Sequence, residues 1–313
     1  MKYEEMKAEA NVSTVMQFVL LGFSELPNLQ WLLFGLFSII YIMILIGNSL
    51  TIITRLDSAL QKPVYFFFLA NFSSLEICYV SVTLPRILVN LCPQDRSISM
   101  LECSIQMCFF LMLATIENFL LAVMAYGCYV AVCNPLHYPL VLNHRMCIQM
   151  AVDSWICGIP VQTGPICQIF SLHFCHSNQI DHFFCDVPPI LELACGDTSL
   201  HKLSVYVVVL LVGTIPSVLI LASYRKIIST ALRLPTSRGL AKVFSTCSSH
   251  LLVVLLFFGS ATITYLRPQS SHSPGIDKLL YLFYTIVTPV FNPMIYSLRN
   301  KDVLTALRKL LLK

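Results

Sequence analysis

The sequence predicts an all-α membrane protein, a seven-transmembrane helix bundle with a short amphipathic helix at the C-terminus. Composition is the first observation, because 57% of the 313 residues are hydrophobic and only 12% are charged, about half the charged fraction of soluble domains. The second is a series of apolar runs of about 20 residues or more, long enough to cross the hydrocarbon core as helices. These runs alternate too little for the strands of a membrane barrel.

Seven apolar runs define the predicted transmembrane helices. They lie near residues 30–54, 64–91, 103–129, 146–169, 201–224, 243–266 and 278–298. Each is predicted to be helical, because lipid offers no partner to an unpaired peptide group. We therefore divide the chain into an extracellular N-terminal segment (1–29), one transmembrane domain (30–298) and a cytoplasmic C-terminal segment (299–313).

The distribution of basic residues predicts the orientation of the chain in the cell membrane. With the N-terminus extracellular and the C-terminus cytoplasmic, the inner side holds most of the 20 Lys and Arg residues, beside only Asp57 and Asp302. This asymmetry is what the positive-inside rule requires. The basic residues are spread over several loops without aromatic neighbours, so we expect the lipid bilayer and no nucleic acid as partner.

Two features flank the predicted bundle. Asn11 begins the tripeptide Asn-Val-Ser and is a candidate glycosylation site on the extracellular side. After the last span, an apolar stripe opposite Arg308 and Lys309 predicts an amphipathic helix on the inner leaflet. The stripe consists of Val303, Leu304, Leu307, Leu310 and Leu311. No removable signal peptide is expected ahead of the first span.

The longest predicted extracellular loop, about 170–200, is rich in cysteine and histidine. Cys175, Cys185 and Cys195 lie ten residues apart, and Cys103 opens the third span on the same side. Four thiols in an oxidising compartment favour disulfides, with three pairings open from sequence alone. A metal site is an alternative, and free buried thiols are a third. The candidate metal ligands beside the thiols are His173, His176, His182, Asp181 and Asp186.

Two carboxylates lie well inside apolar runs. Glu76 is in the second span and Glu117 in the third, where a charge costs about 2.5 kcal/mol or more. Both are predicted to face the interior of the bundle. Asn48 and Asn292 are candidates to join them. The pair either packs as protonated or hydrogen-bonded groups, or holds a cation or proton whose occupancy differs between two conformations.

Six stretches resemble the characteristic sequences of the olfactory receptors. They are GNSL (47–50), PVYFFFLANFSSLEICY (63–79), MAYGCYVAVCNPLHYP (124–139), SYRKI (223–227), KVFSTCSSHL (242–251) and PVFNPMIYSLRNKDV (289–303). The match covers nearly the whole chain in the same order. It implies a rhodopsin-like G-protein-coupled receptor that binds a small, mostly apolar volatile odorant. It also implies a heterotrimeric G protein of the olfactory stimulatory type as partner, raising cAMP.

The resemblance also assigns individual residues. It implies one disulfide between Cys103 and Cys185 and a second between Cys175 and Cys195. It places Glu76 and Glu117 at positions that resemble the family's sodium site, so a structural sodium ion is the one cofactor considered. The positions that it associates with activation and G-protein coupling are Gly127, Cys128, Tyr129, Tyr224, Lys242, Asn292, Pro293 and Tyr296.

The chain departs from the family pattern at one place that bears on coupling. Where the family reads MAYDRYVAICNPLHYP, this chain has Gly127 and Cys128 in place of the acid and the arginine. A thiol cannot reproduce the fixed donors of a guanidinium. The alternative function is therefore a receptor-like protein that folds but couples weakly or not at all.

A ligand pocket is expected between the helices near their outer ends, under the long loop. On the third span, the candidate residues follow one helical face at i, i+1, i+4 and i+5. The full candidate set is Phe110, Leu111, Ala114, Thr115, Val208, Val209, Val212, Phe258, Ala261, Thr262, Tyr265, Leu282 and Thr285. This lining is apolar with a few hydroxyls and no fixed charge, apart from Arg267 near the mouth.

Two other classes of membrane protein fit the sequence less well. A transporter would show paired broken helices in related halves of the chain. An intramembrane enzyme would need a nucleophile and a base together within the bilayer, and Glu76 with Glu117 supplies no nucleophile of the usual kinds. No enzymatic activity is expected.

Overall fold

A computed structural model describes residues 17–24, 27–54, 64–92, 96–175, 177–233, 237–265 and 274–295, together with 305 and 308. This part of the chain is mostly helical. The long helices are α1 (Gln30–Thr54), α2 (Val64–Leu91), α3 (Met100–Cys133), α4 (His144–Phe170), α5 (Ser199–Ala231) and α6 (Ser237–Tyr265). A last helical run consists of α7 (Pro274–Leu282), a π-helical segment (Phe283–Val287) and α8 (Thr288–Pro293).

Every predicted span is helical where the structure describes it. The bounds of α1 and α2 coincide with the predicted runs 30–54 and 64–91. In contrast, α3 begins at Met100, before the predicted run, because polar residues there cap the helix. The Ser99 hydroxyl accepts from the Glu102 amide at 3.1 Å, and the Glu102 carboxylate accepts from the Ser99 amide at 3.0 Å. This capping box satisfies backbone donors that would otherwise be unpaired.

Four helical segments in the described part of the chain are long and apolar enough to cross a membrane. They are Pro27–Thr54, Phe67–Leu91, Met100–Cys133 and Ser199–Ala231. The first and last of these leave most of their apolar side chains outside the protein core. Exposed apolar helices of this length are typical of surfaces that face lipid. The predicted C-terminal amphipathic helix falls almost wholly outside the described residues.

The centre of the bundle is α3, which packs against α2, α4, α5 and α6. Its approach to α4 is close because residue 158 is glycine. A Cβ built on Gly158 would lie 2.6 Å from Ile116 Cγ1 and 3.1 Å from the Met112 carbonyl oxygen. Since real Cβ atoms do not approach other atoms at 2.6 Å, any larger residue would force these two helices apart.

A small three-stranded sheet caps the end of the bundle where α3 begins. Strand β1 (Gln17–Leu20) pairs antiparallel with β2 (Ser97–Ser99) and parallel with β3 (Gln179–Ile180). Phe18 and Leu20 of β1 are fully buried beneath the sheet. The all-α prediction overlooked these strands, because each is short and finds its partners far away in sequence.

Two disulfides fix the long loop beside this sheet. Cys103 at the start of α3 is bonded to Cys185, and Cys175 is bonded to Cys195, with Cα atoms 5.5 and 5.9 Å apart. These are the two pairings that the family resemblance implied. Between Cys185 and Cys195 the loop forms a short helix (Val187–Leu193) whose apolar side chains are mostly buried. The loop therefore has a core of its own and is held over the end of the bundle.

Candidate functional site

A cavity of about 410 Å³ lies between α3, α4, α5 and α6, bordered by the loop helix Val187–Leu193. Most side chains that line it are aliphatic or aromatic, such as Ile166, Val205 and Phe257. Glu192 of the loop helix and Lys202 in the first turns of α5 are also in the lining. A cavity of this size with few polar groups is typical of sites for small apolar ligands.

The structure brings part of the predicted pocket lining together. Seven of the predicted residues line the cavity, namely Leu111, Ala114, Thr115, Val208, Val209, Val212 and Phe258. The side chains of Ala261, Thr262 and Tyr265 lie outside the described set, as does Arg267. The expected absence of fixed charge does not hold, since the prediction left out the loop helix and the start of α5, where Glu192 and Lys202 lie.

Three predicted lining residues lie elsewhere. Phe110 is fully buried against α2 and the loop, with its ring 5.2 Å from that of Tyr79 and 4.9 Å from that of Phe184. Leu282 does not reach the cavity, and Thr285 is fully buried with its hydroxyl donating to the Tyr281 carbonyl at 2.7 Å. The face of α3 that meets the cavity is therefore rotated away from Phe110.

A hydrogen-bonded group of polar side chains lies in the cavity wall where α3 faces α4. The Gln162 amide of α4 donates to the Thr115 hydroxyl at 2.8 Å, and that hydroxyl donates to the Leu111 carbonyl at 2.9 Å. Asn118, one turn further along α3, also lines the cavity, and its amide nitrogen donates to the Ala114 carbonyl at 3.0 Å. The wall of α3 thus presents both apolar and amide groups to a ligand.

Hydrogen bonds attach the long loop to α2 and α3. Gln106 of α3 accepts from the Cys185 amide at 3.2 Å and donates to the Val82 carbonyl at 3.0 Å. Asn90 of α2 donates to the Phe183 carbonyl at 2.9 Å. Because these partners are buried, breaking one would leave an unpaired polar group that costs about 1–3 kcal/mol. The loop is consequently a fixed cover and not a free segment.

His182 is a buried ionisable group of this loop. Its ring packs edge-on to Tyr281 of α7 at 4.2 Å, and Nδ1 donates to the Phe184 carbonyl at 3.2 Å. Burial lowers the pKa of His182 to about 4, since a charged ring would lose its hydration. Beside it, Asp181 forms an ion pair with Lys278 at 2.5 Å, which joins the loop to α7.

The metal alternative for this loop finds no support in the described residues, which contain no group of three His, Cys, Asp or Glu side chains placed to hold an ion. The three loop cysteines are in disulfides, as is Cys103 of α3, so none of them is a free ligand. His176 lies outside the described residues.

Glu76 and Glu117 are both buried and lie close enough to interact electrostatically. The Asn292 amide nitrogen donates to one oxygen of Glu76. The other Glu76 oxygen, one Glu117 oxygen and the Asn292 oxygen have no hydrogen-bond partner among the described residues. Asn48, also buried, donates to the Ile44 carbonyl of its own helix at 3.1 Å. The interior of the bundle therefore contains three buried oxygen atoms that no described residue hydrogen-bonds.

At the other end of α3, remote from the disulfides, a buried polar network links three helices. We call this the inner end. The Tyr224 hydroxyl of α5 lies 3.0 Å from the Cys247 carbonyl and 2.8 Å from His250 Nδ1. His250 Nε2 lies 3.1 Å from the Leu121 carbonyl, which can only accept, so Nε2 carries a hydrogen. In addition, the buried thiols of Cys128 and Cys247 lie close enough to interact.

The remaining positions associated with activation are partly described. A Cβ on Gly127 would meet no atom within 4 Å. Tyr129 is half-buried, with its ring 6.0 Å from that of Tyr126. The side chains of Lys242 and Pro293, together with Tyr296 and Asn11, lie outside the described set.

The chain matches known proteins over nearly its whole length. A family model described as olfactory receptor matches residues 37–313. Human olfactory receptor 10AG1 is 56% identical over 299 residues, which cover 95% of this chain and 99% of that receptor. Human olfactory receptor 10C1 is 49% identical over 305 residues, which cover 97% of each chain. The chain belongs to the olfactory receptor family.

Membership of this family makes the chain a G-protein-coupled receptor of sensory transduction and not an enzyme. Together with the apolar helices, it also makes the chain a multi-pass membrane protein. The human olfactory receptor 10A5 gives the same result, with 48% identity over 304 residues and 96% of each chain covered. The family identity predicted from the six stretches is thus confirmed.

The sequence did not single out several residues of this olfactory receptor that lie at the cavity or the inner end. Asn118 follows Ala114 and Thr115 by four and three residues, so continuing the predicted helical face by one turn would have found it. Gln162 could have been found only from being a polar residue in an apolar run, which is a weaker indication. Cys247 and His250 lie in the quoted stretch KVFSTCSSHL, but no local pattern indicates that they meet Cys128 and Tyr224.

Proposed function

We propose that this olfactory receptor binds small, mostly apolar volatile molecules in the cavity between α3, α4, α5 and α6. Binding activates a heterotrimeric G protein of the olfactory stimulatory type and raises cAMP. In this proposal seven helices cross the membrane, with the N-terminus extracellular and the inner end facing the cytoplasm. The supporting observation is the apolar cavity of about 410 Å³ beneath a disulfide-anchored loop.

The test is a cAMP measurement in cells that carry the receptor at the surface, exposed to an odorant panel. Gly213 lines the cavity, and a Cβ there meets no atom within 4 Å, so Gly213→Phe should fill space that a ligand needs. Gly164 is a matched control, since it is equally open but lies on the exposed face of α4. We expect Gly213→Phe to abolish the response and Gly164→Phe to retain it. Equal responses would place the ligand elsewhere.

The alternative function is a receptor that binds odorants but couples weakly. The observation that favours it is Cys128, whose thiol is buried beside Cys247 and offers no charged group at the inner end. Ligand binding measured as thermal stabilisation of the purified receptor, without a cAMP response in cells, would select this alternative. Both proposed functions place the odorant in the same cavity.

A sodium ion fits the interior oxygens. Glu76, Glu117 and Asn292 each have a buried oxygen with no partner among the described residues, and oxygen atoms are the ligands of hard cations. These three residues would hold the ion, and its charge would offset the burial of two carboxylates. Glu117→Gln should remove the sodium dependence of an agonist response at unchanged surface expression. If the sodium titration is identical for the native receptor and this variant, helix packing is the only role left for the two carboxyl groups.

A further inference from the structure

The side-chain oxygen of Asn118 is a hydrogen-bond acceptor in the cavity wall that no described residue donates to. It is the deepest residue of α3 in the cavity lining, furthest along the helix from Cys103, and its side chain is only 8% exposed. The amide nitrogen donates to the Ala114 carbonyl at 3.0 Å, which fixes the orientation of the amide. Its Oδ1 atom is buried, and no donor of the described residues reaches it.

Three hydroxyls that line the same cavity do not donate to this acceptor, because their hydrogens are used within their own helices. Thr115 donates to the Leu111 carbonyl at 2.9 Å, and Ser217 donates to the Gly213 carbonyl at 2.6 Å. Thr214 donates to the Leu210 carbonyl, also at 2.6 Å. An unpaired buried acceptor is costly, and a ligand that brings the missing donor recovers that cost.

We propose that this receptor selects alcohols, that is, apolar molecules with one hydroxyl group whose hydrogen is donated to Asn118 Oδ1 at the deep end of the cavity. The proposal rests on the function proposed above. The hydrocarbon part of the ligand then lies along the apolar walls formed by Leu111, Val209 and Phe258. An ether or aldehyde of the same length fills the same space but brings no hydroxyl hydrogen, so the acceptor stays unpaired. Sites built to bind a hydroxyl discriminate strongly against analogues that lack it.

The test compares unbranched primary alcohols with the methyl ethers and aldehydes of the same chain length. Thermal stabilisation of the purified receptor measures binding independently of G-protein coupling. We expect alcohols to bind about tenfold more tightly than the matched ethers and aldehydes. Asn118→Leu, of similar volume, should remove this preference. Thr115→Val, which deletes a hydroxyl from the same wall, should shift the affinity for all three classes alike and keep the preference.

The outcomes separate this inference from the proposed function. Equal binding of alcohols, ethers and aldehydes by the native receptor overturns the inference and leaves an odorant receptor with a purely apolar site. A preference for alcohols that survives in Asn118→Leu also overturns it, because another group then accepts the hydrogen. If no volatile of any class stabilises or activates a correctly folded receptor, the proposed function fails and the inference with it.

Discussion

The thiols of Cys128 in α3 and Cys247 in α6 lie close enough to interact at the inner end of the bundle. Both side chains are buried, and the carbonyl of Cys247 also accepts from the Tyr224 hydroxyl of α5 at 3.0 Å. Three helices therefore meet where this chain departs from the family pattern, since an arginine is expected at the position of Cys128. Movement of α6 away from α3 would have to break this contact.

The proximity of the two thiols predicts that they can be oxidised to a disulfide. A small membrane-permeant oxidant such as iodine should link Cys128 to Cys247, because the two buried thiols are close enough to interact. Mass spectrometry of proteolytic fragments measures the link, with Cys128→Ala as control. Recovery of both residues as free thiols, under conditions that oxidise other free cysteines of the receptor, would contradict the contact.

Restoring the acid and the arginine should strengthen coupling. The double variant Gly127→Asp, Cys128→Arg is expected to give a higher maximal cAMP output at matched surface expression, because an arginine supplies charge-assisted hydrogen bonds of about 1.5–3 kcal/mol each. There is room for the aspartate, since a Cβ on Gly127 meets no atom within 4 Å. The rank order of ligands should stay the same. A native receptor that signals as strongly as the variant would show that the arginine is dispensable here.

Substitution of Gly158 should destabilise the packing of α3 on α4. In Gly158→Val the added atoms collide with Ile116 Cγ1, 2.6 Å from the position of the new Cβ. Overpacking of this kind costs about 1–3 kcal/mol, measured as a lower thermal unfolding temperature of the purified receptor. Gly164→Val is the control, since no atom lies within 4 Å of a Cβ there. Adding Ile116→Ala to Gly158→Val should recover part of the loss, and no recovery would argue against the collision.

Loss of the disulfide between the loop and α3 should prevent surface expression. Cys103→Ser or Cys185→Ser releases the loop that covers the cavity, and removal of a native disulfide typically costs about 2–5 kcal/mol. Surface labelling of intact cells measures the effect. Cys157→Ser, at an exposed free cysteine of α4, should express normally. Normal surface levels and odorant responses in the two disulfide variants would show that the bond is not required.

His182 should make the loop sensitive to acid. Burial depresses the pKa of His182 to about 4, against about 6.5 in an unfolded chain. A depressed histidine pKa means that the unfolded state takes up the proton first, so stability is full above about pH 6.5 and falls as the pH drops towards 4. The thermal unfolding temperature should therefore decrease between about pH 7 and pH 5. His182→Phe keeps a ring in place and should show a weaker decrease, whereas an unchanged pH profile would exclude His182 as the cause.

The sequence by itself determined the family and the positions of the helices. Helix location follows from local hydropathy, which depends only on residues that are neighbours in the chain. The bounds of α1 and α2 were accordingly predicted to the residue, and the six family stretches led to the olfactory receptors. The same stretches indicated the partners of Cys103 and Cys175, which the four thiols alone left open.

Only the tertiary structure decided which side chains meet. Hydropathy does not reveal how each helix is rotated, so the sequence predicts Phe110 in the cavity although its ring packs on Tyr79. Strand β1 and its partners β2 and β3 are distant in sequence, and their pairing depends on the folded loop. The contact between Cys128 and Cys247 is likewise set by how α3 and α6 approach each other, because 119 positions separate the two thiols along the chain.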